Sequence, residues 1–176
     1  MLEVECDLPE IYLQPGEVYL ALQPAVLRTL LGSCVGVTFW SARYGAGALC
    51  HALLPWCPKN APSGLTLAAG RRYVDFVIRD LARQFDQLGA PRSEIQVKLF
   101  GGADVLPISS TGPLRPTVGR QNCEAATEVL RAEGFDVIAS SLGGTCGRNI
   151  QFHTGTGEVR LRWLSHVGSA EGVDGL

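Results

Sequence analysis

Two apolar runs joined by a short turn constrain the fold of this chain most. They occupy residues 29–39 and 48–55, and a glycine-containing turn lies between them at residues 42–45. Short apolar runs bounded by turn residues are typical of neighbouring β-strands. Cys34 lies inside the first run and His51 inside the second. The sequence therefore predicts a strand pair that carries one thiol and one imidazole.

The composition favours one globular domain. The chain has 176 residues, of which 46% are hydrophobic and 18% are charged, so it can build a sizeable core and is unlike a disordered chain. Its net charge of −2 argues against a protein that binds nucleic acid through a broad basic face. We expect a single domain over residues 1–164. A flexible C-terminal tail is expected over 165–176, which is rich in glycine, serine and alanine.

The N-terminal sequence and the cysteine spacing bear on compartment and cofactors. The first residues are acidic and lack the features of a signal peptide, and no apolar run reaches the length of a membrane span. We therefore expect a cytoplasmic protein without membrane insertion, whose six cysteines are thiols rather than disulfides. No Cys-x-x-Cys pair and no two-pair zinc spacing occurs, so we expect neither a metal nor another cofactor.

The remaining pattern predicts an α/β fold with a mostly β core and two main helices. Apolar residues recur every three or four positions over residues 71–88 and 121–133, which is typical of amphipathic helices. Two helices among many short strands favour a layered arrangement. A hairpin is expected over residues 149–163. Loops are expected over 56–69 and over 106–117, which holds three prolines.

Two glycine-rich segments, at residues 101–103 and 143–148, need an interpretation. Neither has the spacing of a dinucleotide-binding or P-loop motif, and no Gly-Lys-Ser/Thr is present. Tight turns at strand ends explain them better than phosphate binding does. Arg148, at the end of the second segment, either anchors a carboxylate or caps a loop.

Taken alone, Cys34 and His51 each allow two interpretations. In an apolar strand, either residue is more often a buried core side chain than a catalytic one. The catalytic alternative is a cysteine nucleophile with its histidine base, brought together by neighbouring strands. Gly32 and Ser33, directly before Cys34, would then position the substrate or offer backbone N–H groups to an oxyanion.

Seven segments, in order and spacing, resemble the CheD family of chemoreceptor glutamine deamidases. The resemblance spans residues 15–164, and its most specific part is Leu-Gly-Ser-Cys34 followed by a second strand with His51. Lys-Leu-Phe-Gly-Gly-Ala and Gly-Gly-x-x-Gly-Arg support it independently. The segments lie at residues 29–37, 49–55, 72–75, 98–103, 119–122, 143–148 and 156–157.

The resemblance implies a fold, a reaction and partners. Members of the family have a three-layer α/β/β arrangement and convert glutamines of methyl-accepting chemotaxis receptors to glutamates. By the same resemblance, Cys34 is the nucleophile, His51 is its base, and Thr29 completes the site. Many members also bind the phosphatase CheC, which makes a CheC-type phosphatase a second expected partner.

Two other functions compete with the deamidase. One is a non-catalytic binding module that docks a CheC-type phosphatase or receptors. The other is a cysteine peptidase or transglutaminase, which the compact spacing of Cys34 and His51 argues against. A thioester route would also accept a glutamate methyl ester, so an esterase side activity is a further expectation.

Overall fold

A computed structural model of the chain describes residues 8–59, 65–105 and 116–164. The tail expected over 165–176 and most of the loop expected over 106–117 lie outside these residues. The described strands are β1 (Glu10–Tyr12), β2 (Val18–Ala21), β3 (Val26–Leu31), β4 (Val35–Ser41), β5 (Ala46–Ala52), β6 (Gln96–Gly101), β7 (Val137–Leu142), β8 (Arg148–His153) and β9 (Val159–Trp163). The described α-helices are α1 (Leu67–Gly70), α2 (Val74–Gln87) and α3 (Val118–Ala132).

These strands form two sheets. One has four strands in the order β1-β3-β8-β9, and the other has five in the order β2-β5-β4-β6-β7. Most neighbouring strands are antiparallel, and the pairs β1–β3 and β6–β7 are parallel. The expected hairpin is confirmed as β8 paired with β9.

The five-stranded sheet is the middle layer of the molecule. Every residue of β5 is buried, and all but one residue of β4 are buried. A strand covered on both faces needs apolar or small residues at successive positions rather than alternating ones. This requirement explains why both runs read as continuous apolar segments.

Separate apolar clusters join the three layers. Between the helices and the five-stranded sheet, Phe39 packs against Phe85 of α2 and against Phe135. Between the two sheets, Leu27 and Leu49 belong to one cluster, while Leu31, Phe100 and Ile150 form another. The expected three-layer α/β/β sandwich, with both main helices on one face, is thereby confirmed.

The helices were predicted in the right places with wrong starts. The prediction began α2 at residue 71, but the helix starts at Val74, behind Tyr73, which provides no side-chain cap. α3 starts at Val118, three residues before the predicted position, because the Thr117 hydroxyl accepts a hydrogen bond from Arg120 N at 3.2 Å. The end of the predicted loop over 56–69 is also wrong, since Leu67–Gly70 is helical.

The first apolar run is divided between the two sheets. Residues up to Leu31 belong to β3 in the four-stranded sheet, and residues from Val35 belong to β4 in the five-stranded sheet. Gly32, Ser33 and Cys34 form a bend between them. The prediction of one continuous strand over 29–39 is therefore wrong, and the bend carries the chain across the sandwich.

Candidate active site

His51 lies near the end of β5 and is 3% exposed. It pairs with Gly36 of β4 in the antiparallel register. On its other side, the His51 N–H donates to the Glu17 carbonyl at 3.0 Å, and the His51 carbonyl accepts from Gly16 N at 2.7 Å. Both backbone polar groups of His51 are thus bonded to residues 16 and 17, which fixes where its imidazole begins.

A hydrogen bond between the two sheets orients the imidazole. Thr29 of β3 is fully buried, and its Oγ1 lies 2.7 Å from His51 Nδ1. The same hydroxyl donates to the Leu13 carbonyl at 2.9 Å. A hydroxyl has one proton, and a carbonyl can only accept, so Thr29 Oγ1 accepts from the Nδ1–H group. His51 is therefore the tautomer whose lone pair is on Nε2, the form that acts as a base through that nitrogen.

Cys34 occupies the bend that links β3 to β4. Its half-buried side chain packs against the inter-sheet cluster of Leu31, Phe100 and Ile150. Cys34 thus lies at the same end of the sandwich as His51, because Gly36, two residues after Cys34, pairs with His51. No hydrogen bond joins the Cys34 thiol to His51 within the described residues. Contacts of this kind are often loose in substrate-free enzymes and tighten in the complex.

Three carbonyl groups tie the Cys34 bend to the rest of the molecule. Gly32 O accepts from Ala103 N at 2.8 Å, and Cys34 O accepts from Gly102 N at 2.8 Å. Ser33 O accepts from Asn122 Nδ2 at 2.9 Å. In a trans peptide the N–H points away from the carbonyl of the same unit. The N–H groups of Ser33 and Cys34 therefore point away from these supports.

The glycines at residues 101–102 make the close approach of this support possible. Gly101 and Gly102 have φ angles of 111° and 66°, and residues other than glycine rarely adopt this region. A Cβ on Gly101 would lie 2.1 Å from Cys34 O, and one on Gly102 would lie 2.0 Å from Cys123 Sγ. This segment is a tight turn at a strand end, as the sequence predicted.

Burial sets the charge states of the two candidate residues. Desolvation raises the pKa of the Cys34 thiol above its usual value of 9.0, although the Cys34 backbone N–H partly opposes this. Desolvation also lowers the pKa of His51 below 6.5, against smaller opposing effects of the Leu13 carbonyl and the Glu17 charge. Both shifts favour a neutral thiol beside a neutral imidazole at neutral pH. A cysteine–histidine pair can rest either as two neutral groups or as a thiolate–imidazolium ion pair, and burial here favours the neutral pair.

A cavity of about 420 Å³ is lined by backbone neighbours of the Thr29–His51 pair, although Thr29, Cys34 and His51 do not line it themselves. Leu13 and Glu17 line it, and these are the residues whose carbonyls bond to Thr29 and His51. Arg71, which follows α1, also lines it. The cavity therefore borders the supports of Thr29 and His51 rather than the candidate catalytic side chains.

Comparison with known proteins identifies the family. A sequence profile described as CheD chemotactic sensory transduction matches residues 54–163. The "Probable chemoreceptor glutamine deamidase CheD 2" of Geobacter sulfurreducens is 43% identical over 91% of this chain and 93% of its own length. The chain belongs to the CheD family. The resemblance that its sequence motifs carry is thereby confirmed.

Two further relatives extend this result. A protein of Maridesulfovibrio salexigens is 35% identical over 93% of this chain and 97% of its own length. One of Rhodospirillum rubrum is 36% identical over 90% of this chain and 84% of its own length. Both are named "Probable chemoreceptor glutamine deamidase CheD". The similarity to this family therefore extends over nearly the whole chain.

In this member of the CheD family, Arg148 caps loops and strand ends. It is fully buried, and its guanidinium donates to the Gly101 carbonyl at 2.9 Å and to the carbonyls of Ser141 and Gly143. Its guanidinium carbon lies 4.6 Å from the centre of the Trp163 ring. Of the two interpretations left open for Arg148, the loop cap fits these contacts.

Two groups at the site were not predicted as functional. Asn122 belongs to one of the family segments, and it is a polar residue on the apolar stripe of α3 that includes Ala126 and Val129. No sequence signal marks the Leu13 carbonyl, because every residue carries such a group.

Within the described residues, no cluster of three potential metal ligands occurs. No helix in the same ranges is long and apolar enough to cross a membrane.

Proposed function

We propose that this protein converts glutamine side chains of chemotaxis receptors to glutamates and releases ammonia. In this proposal Cys34 is the nucleophile and His51 is its general base. The names of the relatives support the reaction and the substrate class. One observation supports the chemistry above all: the Thr29 hydroxyl fixes the proton of His51 on Nδ1, and so leaves Nε2 able to accept a proton.

The first half of the reaction forms a thioester. Nε2 of His51 takes the Cys34 proton as the sulfur attacks the side-chain amide carbon of glutamine. An S–C bond forms, and the amide oxygen becomes an oxyanion. The C–N bond then breaks, and His51 returns the proton to the leaving nitrogen, which departs as ammonia. A neutral starting pair suits this route, because the proton moves only when the substrate is in place.

The second half hydrolyses the thioester. His51 takes a proton from water, whose oxygen attacks the thioester carbon. The S–C bond breaks, glutamate leaves, and the Cys34 sulfur regains its proton from His51. A glutamate methyl ester would enter the same route with methanol as its leaving group. No metal or other cofactor is required at any step.

The oxyanion needs donors that are already oriented. The Ser33 and Cys34 N–H groups are candidates, because the carbonyls of Gly32 and Ser33 are bonded toward Ala103 and Asn122 on the opposite side. No backbone acceptor within the described residues takes either N–H group. The role proposed for Gly32 and Ser33 is thus to hold this short stretch of backbone in place.

Substrate and partners would approach near the end of β5. Leu54 and Trp56, shortly after His51, are 36% and 44% exposed and offer apolar surface close to the candidate base. We propose that they contact the receptor. A CheC-type phosphatase is a further proposed partner, on the family resemblance alone. The proposed compartment is the cytoplasm, where thiols stay reduced, and Cys34 and Cys50 both carry thiols.

The test measures ammonia released from a purified cytoplasmic receptor fragment. Wild-type protein should release ammonia and change individual receptor glutamines to glutamates, detected by peptide mass spectrometry. Cys34→Ala and His51→Ala should each reduce the release to background. Cys50→Ala is the matched control, since Cys50 precedes His51 but faces the helix layer, where burial raises its pKa to about 12.

Each result has a definite reading. Deamidation by Cys34→Ala protein would refute the nucleophile assignment. Tight receptor or CheC binding by wild-type protein, without ammonia release, would favour the non-catalytic binding module. Loss of activity in folded Cys50→Ala protein would show that removing a thiol near His51 can abolish activity without removing the nucleophile, so the Cys34→Ala result would no longer identify it.

A further inference from the structure

The Asn122 side chain makes two hydrogen bonds that join parts of the site far apart in sequence. It lies on α3 and is fully buried. Its Nδ2 group donates to the Ser33 carbonyl at 2.9 Å and to the Leu53 carbonyl at 2.9 Å. Both partners are carbonyl oxygens, which only accept, so the nitrogen of the amide must face them. The orientation of the side chain is therefore determined by its surroundings.

These two carbonyls belong to the two halves of the proposed site. Ser33 directly precedes Cys34 in the bend between the sheets. Leu53 follows His51 by two residues, just beyond the end of β5. One primary amide thus spans the gap between the backbone that carries the thiol and the backbone that carries the imidazole.

We propose that Asn122 is a positioning residue that holds the Cys34 bend and the His51 strand in register for proton transfer. The inference rests on the proposed function, because it concerns the same thiol and imidazole. Asn122 does not touch the reacting atoms. It acts through the two peptide groups, and a small shift of either would change the alignment of Sγ with Nε2.

The remaining atom of the amide argues against a purely stabilising role. Asn122 Oδ1 is buried and has no hydrogen-bond partner within the described residues. A buried acceptor without a partner destabilises the folded state, and an apolar residue would avoid this cost. Asn122 thus stabilises the folded state less than a fully hydrogen-bonded side chain would. Its particular contribution is the link between the two carbonyls.

A second contact shows that α3 is built to support this region. The α3 backbone at Gly119 approaches Gly102 so closely that a Cβ on Gly119 would lie 2.6 Å from Gly102 O. Gly102 N in turn donates to Cys34 O. The first turns of α3 therefore reach the Cys34 bend by two routes, and Asn122 is the route that also reaches the His51 strand.

The test compares Asn122→Ala with Val129→Ala, a buried substitution two turns further along α3 in the helix–sheet core. Ammonia release gives kcat and KM, and thermal unfolding gives stability. Asn122→Ala should lower kcat about tenfold or more and leave KM within about twofold, because the lost alignment matters in the transition state. Val129→Ala should lower the unfolding temperature and leave kcat unchanged where the protein is folded.

A second readout does not depend on the receptor substrate. The alkylation rate of Cys34 by iodoacetamide, mapped to its peptide by mass spectrometry, is followed across pH. At neutral pH the thiol needs His51 to lose its proton, so Asn122→Ala should react more slowly than wild type. Above the pKa of the thiol it ionises unaided, and the two rates should converge. If the alanine variant does not fold, Asn122→Ser, which keeps one donor, takes its place. Its alkylation rate at neutral pH should also be lower than that of wild type.

The outcomes separate this proposal from the proposed function. If wild-type protein deamidates and Asn122→Ala has the kcat of Val129→Ala, the positioning role is refuted and the deamidase stands. An alkylation ratio that is constant across pH would also refute it. If wild-type protein releases no ammonia but the variant shows the pH-dependent loss of thiol reactivity, the positioning role is supported and the proposed substrate is wrong.

Discussion

Thr29→Val tests the orientation of His51 with almost no change in side-chain shape. The substitution replaces Oγ1 by a methyl group and removes both hydrogen bonds of that atom, to His51 Nδ1 and to the Leu13 carbonyl. Each buried group left without a partner costs about 1–3 kcal/mol, and the added buried methyl group returns about 0.8 kcal/mol. The net loss is roughly 1–5 kcal/mol, a substantial part of the 5–15 kcal/mol typical of a domain.

The effect on catalysis follows from the tautomer. Without the Thr29 oxygen, His51 can avoid an unpaired Nδ1–H by moving its proton to Nε2, the nitrogen that must accept the Cys34 proton. Loss of a group that orients a functional histidine typically lowers activity about 10- to 100-fold. We expect this loss in kcat for ammonia release, together with a changed pH profile. Thr29→Ser keeps the hydroxyl and should retain most of the activity.

Leu27→Ala is the matched control for stability. Leu27 is fully buried in the same strand, on the same inter-sheet side as Thr29, and does not contact His51 through a hydrogen bond. A buried Leu→Ala change costs about 2–5 kcal/mol, similar to the loss expected for Thr29→Val. If both variants have the same kcat at a temperature where both are folded, the hydroxyl does not orient His51 and the reasoning fails.

Two further predictions concern pH and the glycine turn. Because the pKa of His51 is lowered, the acid limb of the pH–activity profile should have its midpoint below pH 6.5. In the unfolded chain the same imidazole takes up a proton near pH 6.5. The contribution of His51 to the free energy of unfolding should therefore fall as the pH decreases from 6.5 toward the lower pKa of the folded state. A midpoint above 6.5 would contradict the burial effect. Gly102→Ala should cost more than about 1–3 kcal/mol and alter Cys34 reactivity, whereas Gly45→Ala, at φ 57° with nothing within 4 Å, should cost only the backbone strain. Equal unfolding temperatures for the two variants would contradict the close packing against Cys123.

Sequence periodicity predicted the helices because it reports burial on one side. Val74, Val77, Leu81 and Phe85 all lie in the helix–sheet core, as their spacing indicated. Helix starts were less well predicted, because they depend on local caps. Tyr73 gives no side-chain cap at the start of α2, so nothing in the sequence marked that position. Thr117 does cap α3, but it stands at the end of a proline-rich segment whose composition predicts a loop.

The same periodicity could not assign strands to sheets. β3 and β4 are both apolar because each has a face in the inter-sheet core, so the run over 29–39 looked continuous. The division depends on the bend at Gly32–Cys34, whose shape is set by hydrogen bonds from Ala103, Gly102 and Asn122. These donors lie about 70–90 positions away in sequence, and local sequence patterns carry no information about them.

That division explains why motif residues alone do not define the site. Thr29 and Cys34 are five positions apart, yet Thr29 belongs to the four-stranded sheet and Cys34 to the bend that leaves it. If the chain ran straight from 29 to 39, Thr29 would belong to the sheet of His51 and could not hydrogen-bond to its imidazole from the opposite layer. The bend places the hydroxyl across the sandwich from His51 and leaves the thiol at the crossing point. The chemistry therefore depends on keeping this bend fixed, which is the physical reason for a buried amide and two left-handed glycines directly behind it.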